Sequence, residues 1–290
     1  MNITLKQLSV FTTTARLGGI TLAAQDLCMT QSAASQSLKE LESVLGYTLF
    51  NRVGRKLTIN EQGEALLHKA NQMLALQDQI LQPQSKALNG ILNVAASVTI
   101  GSYVMPELLA KFVTKHPLVE PKLFISNSEA VITRLMAGQA HIGLIEAPIN
   151  HQQLVISSWR EDTLTVFCSP KHHYANQDKL SAKQMSEQRW ILREHGSGTR
   201  AVFISAMQQH GAKLNNSMDL ARQEAIKQAV KANLGLGVLS NLSIKQELSL
   251  GLFKQLQTPL NLNRQFSIAQ SKHFSTNPLV SAFHQFLINY

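Results

Sequence analysis

The tightest constraint on this chain is a change of period at Asn89-Gly90. Before that point apolar residues recur mainly at helical spacing; after it, short β-prone runs alternate with helical ones. The 290 residues must therefore build two kinds of core, and a hydrophobic fraction of 44% is enough for both. Alternating strands and helices in the C-terminal part point to βαβ units and a parallel sheet.

The N-terminal part opens with three closely spaced helical patterns. Leu5, Leu8, Phe11 and Ala15 share a face that stops at Gly18-Gly19, and Thr21 reads as the N-cap of a second helix carrying Ala23, Ala24 and Leu27. After a break at Cys28-Met29-Thr30, Thr30 reads as the cap of a third helix from about Gln31 to Leu45. Its Ala34, Leu38, Leu41 and Leu45 form an apolar side, while Gln31, Ser32, Ser35, Gln36 and Lys39 lie largely off it. Leu49 to Ile59 then reads as a hairpin around Gly54-Arg55-Lys56. A single helical pattern follows from residue 61 to 87, with Leu66, Leu67, Ala70, Met73, Leu74, Ile80 and Leu81 on a stripe. That length suits a linker helix pairing with a second chain better than a small-domain core.

Two readings fit the first three helices. One is a helix-turn-helix whose third helix enters the DNA major groove; the other is an ordinary three-helix core with a solvated face. The basic tip favours DNA, because Arg52, Arg55 and Lys56 beside the third helix are placed for phosphates or an adjacent minor groove. A net charge of +9 points to a polyanionic partner as well.

Enzyme readings find little support. Gly235-Leu-Gly-Val-Leu-Ser240 lacks the third glycine of a dinucleotide loop, Gly196-Ser-Gly-Thr199 has no Walker lysine, and a Gly-x-Ser-x-Gly elbow is absent. His151 and the His172-His173 pair lack a second half for a metal site and read as exposed loop residues. Cys28 reads as a small packing residue, and two distant cysteines fit a reducing compartment. Neither a leader pattern nor a run of about 18 apolar residues is present, so a cytoplasmic location away from membranes is expected, with no cofactor and no metal.

The residues also carry a family resemblance. Thr30-Gln-Ser-Ala-Ala-Ser-Gln-Ser-Leu-Lys-Glu-Leu-Glu-Ser-Val-Leu-Gly-Tyr-Thr-Leu-Phe-Asn-Arg52, with Leu22-Ala-Ala-Gln-Asp-Leu27 upstream, resembles the signature of LysR-type transcriptional regulators. Gly101 to Pro106, Ile142 to Pro148, Trp190 to Arg200 and Glu224 to Val230 extend the likeness over the whole chain. They are most similar to the YeiE-like branch, associated with sulfite sensing, and next to the CbbR- and CysB-like regulators. The resemblance implies a winged helix-turn-helix over residues 1–60, a dimerising linker helix over 61–89 and a periplasmic-binding-protein-like effector domain over 90–290. The effector domain would have two α/β lobes, about 91–161 with 269–290 and about 162–268, joined by two crossing strands. The implied protein is a homodimer or homotetramer that binds double-stranded DNA through Thr30, Gln31, Ser32, Ser35, Gln36, Lys39, Arg52, Arg55 and Lys56. The competing class, a two-lobe solute-binding protein or an enzyme on that fold, conflicts with the N-terminal helices and the missing catalytic constellation.

In such a fold a small effector, expected to be an anion, binds between the lobes. Ser97-Val-Thr99, between a strand and a helix, and Gly196-Ser-Gly-Thr199 in the second lobe offer hydroxyls and backbone N–H groups to an anion, although without the family resemblance plain N-capping is the favoured reading of the first. Ser97, Thr99, Ser197 and Thr199 are the primary candidates. Arg193 and His195 can add positive charge, or Arg193 can form a surface ion pair. Gln223 stands where relatives tend to have Ser, and Glu146 matches a cleft position from which a carboxylate repels an anion unless it is hydrogen-bonded or turned away. His141 replaces the family's usual Asp and reads either as a pH-sensitive group or as a substituted surface residue.

Overall fold

A computed structural model describes residues 2–53, 56–81, 87–146, 151–177, 179–271 and 277–290. The chain forms two compact units, Met1–Ala87 with Met136–Ala140, and Leu88–Leu135 with His141–Tyr290.

The first unit holds α1 (Leu5–Leu17), α2 (Ile20–Asp26), α3 (Gln31–Leu45), β1 (Phe50–Val53), β2 (Lys56–Ile59) and α4 (Glu61–Leu81). A capping box between Thr4 and Gln7 starts α1, and Gly18 ends it in the left-handed region at φ 71°. That turn already reverses the chain, so α2 restarts at Ile20 with Gly19 as its N-cap and the expected Thr21 falls inside the helix. Thr30 caps α3 by accepting a bond from the Ala33 N–H at 3.2 Å. Cys28 occupies the left-handed turn position at φ 52° and is exposed, which corrects the packing role expected of it.

Leu8, Phe11, Ala34, Leu41, Leu49 and Ala70 are buried together, with Phe11 edge-on to Phe50 at 5.7 Å. A Cβ at Gly63 would lie 2.3 Å from the Leu49 carbonyl oxygen, so the start of α4 packs directly on backbone. The expected stripe on α4 therefore splits. Leu66, Leu67, Ala70 and Leu74 pack on the helix-turn-helix core, whereas Met73 and Ile80 remain exposed, as does Leu76, which is not part of the expected stripe. Residues 82–86 of the expected linker, and the side chain of Leu81, lie outside the described residues.

The second unit runs β3 (Asn89–Ser97), α5 (Val98–Tyr103), α6 (Met105–Lys115), β4 (Leu118–Ser126), α7 (Ser128–Met136), β5 (Ile142–Ile145), β6 (Leu154–Cys168), α8 (Ala182–Glu187), β7 (Arg189–Arg193), α9 (Gly198–Gln209), β8 (Asn216–Leu220), α10 (Gln223–Lys231), β9 (Leu236–Ser240), α11 (Asn241–Ser249), β10 (Lys254–Leu256), β11 (Asn263–Ser271) and α12 (Pro278–Ile288). Pro106 has no N–H to donate and sits in the first turn of α6, where its fixed φ suits a helix start, so α5 and α6 are two helices that part at Val104.

The strand order is β4-β3-β5-β11-β6-β9-β7-β8, with β10 on the side of β6. The expected parallel sheet is in fact mixed: β3 pairs parallel with β4 and β5, and β7 with β8 and β9, but β6 and β11 run antiparallel to their neighbours. These two strands cross between the lobes. The N-terminal half of β6 pairs with β11 and its C-terminal half with β9, and the register shifts between Phe266 and Ser267, leaving Trp159 as the extra residue. The first lobe packs α6 and α12 on its strands through Leu92, Phe112, Leu144, Phe266 and Phe283, and the second buries Val166, Trp190, Leu192, Phe203 and Val238.

Candidate functional site

In the first unit α3 presents the side expected to face DNA. Gln31, Ser32, Gln36 and Lys39 are exposed and Ser35 is half-buried, while Ala34, Leu38 and Leu41 anchor the opposite side. Gln36 donates to Glu40 at 3.0 Å, and the Thr30 and Ser32 hydroxyls lie 3.1 Å apart. The β1–β2 hairpin forms as expected, pairing Arg52 with Leu57 and Val53 with Lys56. Arg55 and the side chains of Arg52 and Lys56 lie outside the described residues.

In the second unit the lobes meet around the Glu146 carboxylate, which is almost wholly buried just after β5. Oε1 accepts the Thr99 backbone N–H at 2.9 Å; Oε2 accepts the Thr199 hydroxyl at 3.0 Å and Arg264 Nη1 at 2.8 Å. Arg264 also donates through Nε to Asp162 at 2.7 Å, and Asp162 accepts the Ser240 hydroxyl at 2.8 Å. Gln223 of the second lobe donates to the Thr99 hydroxyl of the first at 3.0 Å. Burial pushes the Glu146 carboxyl upward, but Arg264, the Ser97 and Thr99 hydroxyls and the Thr99 N–H outweigh it and hold the group below the usual carboxylate range.

Plain N-capping does not describe Ser97. It stands in the N-cap position of α5 without a side-chain capping bond, and the Thr99 N–H is taken by Glu146 instead. Its hydroxyl lies near Glu146 yet makes no hydrogen bond of ordinary geometry; Ser197, at the N-cap of α9, also has a buried hydroxyl without one. Thr99, Thr199, Glu146 and Gln223 thus come together. Arg193 does not join them: it is buried, not on the surface, and its guanidinium turns to the adjacent Glu194 at 2.7 and 2.8 Å, which offsets its charge. His195 is exposed, 4.0 Å from Asp219.

A second set of contacts closes the lobes farther out. The Glu129 N–H donates to the Gly196 carbonyl at 3.3 Å, and Asn127 donates to Glu194 at 3.3 Å. Gly196 has φ 80°, a left-handed backbone conformation that favours glycine, and a Cβ there would displace the Glu129 carboxylate, 2.6 Å away. Beside these contacts a cavity of about 460 Å³ is lined by Ser128, Glu129, Ser197 and Arg200 among others.

Two histidines differ from expectation. His141 is not a solvated surface substitution: it is half-buried, its Nδ1 accepts the Asn93 N–H at 3.2 Å, and desolvation lowers its pKa to about 4, so it is neutral near pH 7. His172 is buried, not an exposed loop residue, with its ring stacked on His173 at 4.3 Å. Among the described residues no cluster of His, Cys, Asp and Glu could hold a metal ion, and no helix is long and apolar enough to cross a membrane.

Sequence patterns do not single out Arg264 and Asp162, although both belong to this network. The available signal is a charge inside each of two β-prone segments, where an unpaired charge is rarely buried.

An N-terminal helix-turn-helix and a two-lobed α/β domain with polar groups converging between the lobes define a ligand-responsive DNA-binding regulator. Residues 5–64 match the bacterial regulatory helix-turn-helix proteins of the lysR family, and residues 85–290 match the LysR substrate binding domain. The chain belongs to the LysR family of transcriptional regulators, which are not enzymes. It is 36% identical over 262 residues to the uncharacterized HTH-type transcriptional regulator YeiE of Escherichia coli (strain K12), covering 90% of this chain and 88% of that protein. It is 28% identical over 293 residues to the RuBisCO operon transcriptional regulator of Allochromatium vinosum, covering 100% and 97%. The fold is shared with a full-length OxyR variant from Pseudomonas aeruginosa at TM-score 0.79 and 19% identity, covering 100% of this chain and 94% of that one.

Proposed function

We propose that this regulator is a cytoplasmic homo-oligomer whose effector is a small oxyanion, with a sulfur oxyanion such as sulfite as the first candidate. The observation that carries the reading is the donor set between the lobes: the Thr99 N–H, the Thr199 hydroxyl and Arg264 converge on one carboxylate, and the Ser197 hydroxyl is buried without a hydrogen bond. Such donors suit an acceptor carrying negative charge. The sulfur preference comes only from the resemblance of the sequence to the YeiE-like branch, and the donors themselves do not select it.

On this reading residues 1–60 bind DNA, 61–89 form the dimerising linker and 90–290 sense the effector. Thr30, Gln31, Ser32, Ser35, Gln36, Lys39, Arg52, Arg55 and Lys56 contact DNA, with each α3 reading one half-site. The exposed Met73, Leu76 and Ile80 follow the spacing of a two-helix seam and form the dimer contact on α4. Effector binding shifts the population of lobe arrangements by acting on the contacts that join Glu146 to Thr199 and Thr99 to Gln223.

Calorimetric titration of the protein with sulfite, sulfate, thiosulfate, phosphate and acetate tests the effector. Saturable binding of sulfite is expected, weakened at least tenfold in Thr199→Val. Equal affinity in both proteins would remove the site, and no binding of any oxyanion would remove the anion class.

A further inference from the structure

The donors that suit an external anion already hold one. Glu146 brings its own carboxylate to the Thr99 N–H, the Thr199 hydroxyl and Arg264, while Arg264 also serves Asp162. Two buried carboxylates thus share one guanidinium. A second anion entering beside them would add like charge in a desolvated site, which is strongly unfavourable. We infer that Glu146 is an internal competitor for the effector site, and that an incoming oxyanion takes its place at Thr99, Thr199 and Arg264 instead of binding beside it.

This deepens the proposed function and rests on its reading of the cleft as an oxyanion site. The exchange keeps the number of anions at Arg264 at two, because one anion leaves as another arrives. It also gives a reason for ligand choice. A carboxylate has two oxygens, and both are engaged; the Ser197 hydroxyl remains without a hydrogen bond, and that of Ser97, near Glu146, makes none of ordinary geometry. An oxyanion with three or four oxygens can reach the same three donors and offer further acceptors to these serines. Acetate, which offers nothing that Glu146 does not, should fail against the tethered side chain. Since Glu146 also joins the lobes through Thr199, its displacement would change the contacts that hold them together.

The test is anion-dependent thermal unfolding of the full-length protein, wild type and Glu146→Ala, titrated with acetate and with sulfate. Loss of the tethered carboxylate should create a site for a free one. The variant should therefore be stabilised saturably by acetate, with an apparent Kd at least tenfold lower than that of wild type. Sulfate should gain similarly. No greater stabilisation of the variant than of wild type by either anion would overturn the exchange. Should Glu146→Ala fail to fold, Glu146→Gln removes the charge while keeping the shape; its sulfate affinity should rise, and an unchanged or weaker affinity would overturn the proposal. Sulfite binding to wild type separates this from the effector reading. If wild type binds sulfite and neither variant gains affinity for any anion, the exchange fails alone. If the alanine variant gains acetate while wild type binds no oxyanion, the internal carboxylate stands and the effector reading falls.

Discussion

Glu146 and Arg264, 118 residues apart in sequence, meet at 2.8 Å with both side chains 2% exposed. Each is delivered by a different strand: Glu146 directly follows β5, and Arg264 lies near the start of the crossing strand β11. Removing Arg264 would leave Glu146 and Asp162 buried without their cation. Arg264→Met should cost about 3–5 kcal/mol of unfolding free energy. Urea denaturation followed by far-UV circular dichroism measures it, and a loss under about 1 kcal/mol would show that the carboxylates find other partners.

Stability should fall in acid in two windows. For His141 the folded pKa is about 4 against an ordinary 6.5, so the unfolded chain binds more protons between those values and stability drops as pH falls from 6.5 toward 4. The drop amounts to about 3 kcal/mol at most. His141→Gln should flatten this window in urea titrations at several pH values. Glu146, held below its ordinary 4.5, acts in the second: its contribution is present above 4.5 and is lost as pH falls below that.

Base reading and phosphate contact on α3 separate by their salt dependence. Gln31→Ala or Ser35→Ala should weaken operator binding by about 1–3 kcal/mol and leave random DNA little affected. Lys39→Ala should instead lower affinity for both and make the salt dependence shallower by about 0.9 per lost contact. Fluorescence anisotropy at several salt concentrations distinguishes the two classes.

The two faces of α4 should respond differently to charge. Leu76→Glu, on the exposed face, should yield folded monomers by light scattering, because a carboxylate at the seam would be buried unpaired. Leu67→Glu should instead destabilise the helix-turn-helix core on which Leu67 packs. Unchanged mass for Leu76→Glu would place the dimer contact elsewhere.

Features readable from sequence are local ones. The helix-turn-helix pattern lies within residues 21–45, where spacing and caps act over a few turns, and the Thr99 and Thr199 positions mark junctions between a strand and a helix. Short elements such as α8, β8, α11 and β10 escape because a few residues do not establish a period; β8 is largely exposed and carries no apolar alternation. Arg264 escapes for another reason. Its partner Asp162 is 102 residues away, and only the antiparallel register of β6 with β11 sets the two strands opposite each other. Sequence puts Glu146 at the cleft, but its role depends on where the carboxylate points, which the Thr99 N–H and Arg264 fix.

If an oxyanion acts between the lobes to alter DNA binding, operator affinity of the full-length protein must depend on it. Anisotropy with and without sulfite should show a saturable change in that affinity, which Thr199→Val shows only at concentrations at least tenfold higher. Operator affinity that sulfite, sulfate, thiosulfate and phosphate all leave unchanged in the wild-type protein would contradict the mechanism.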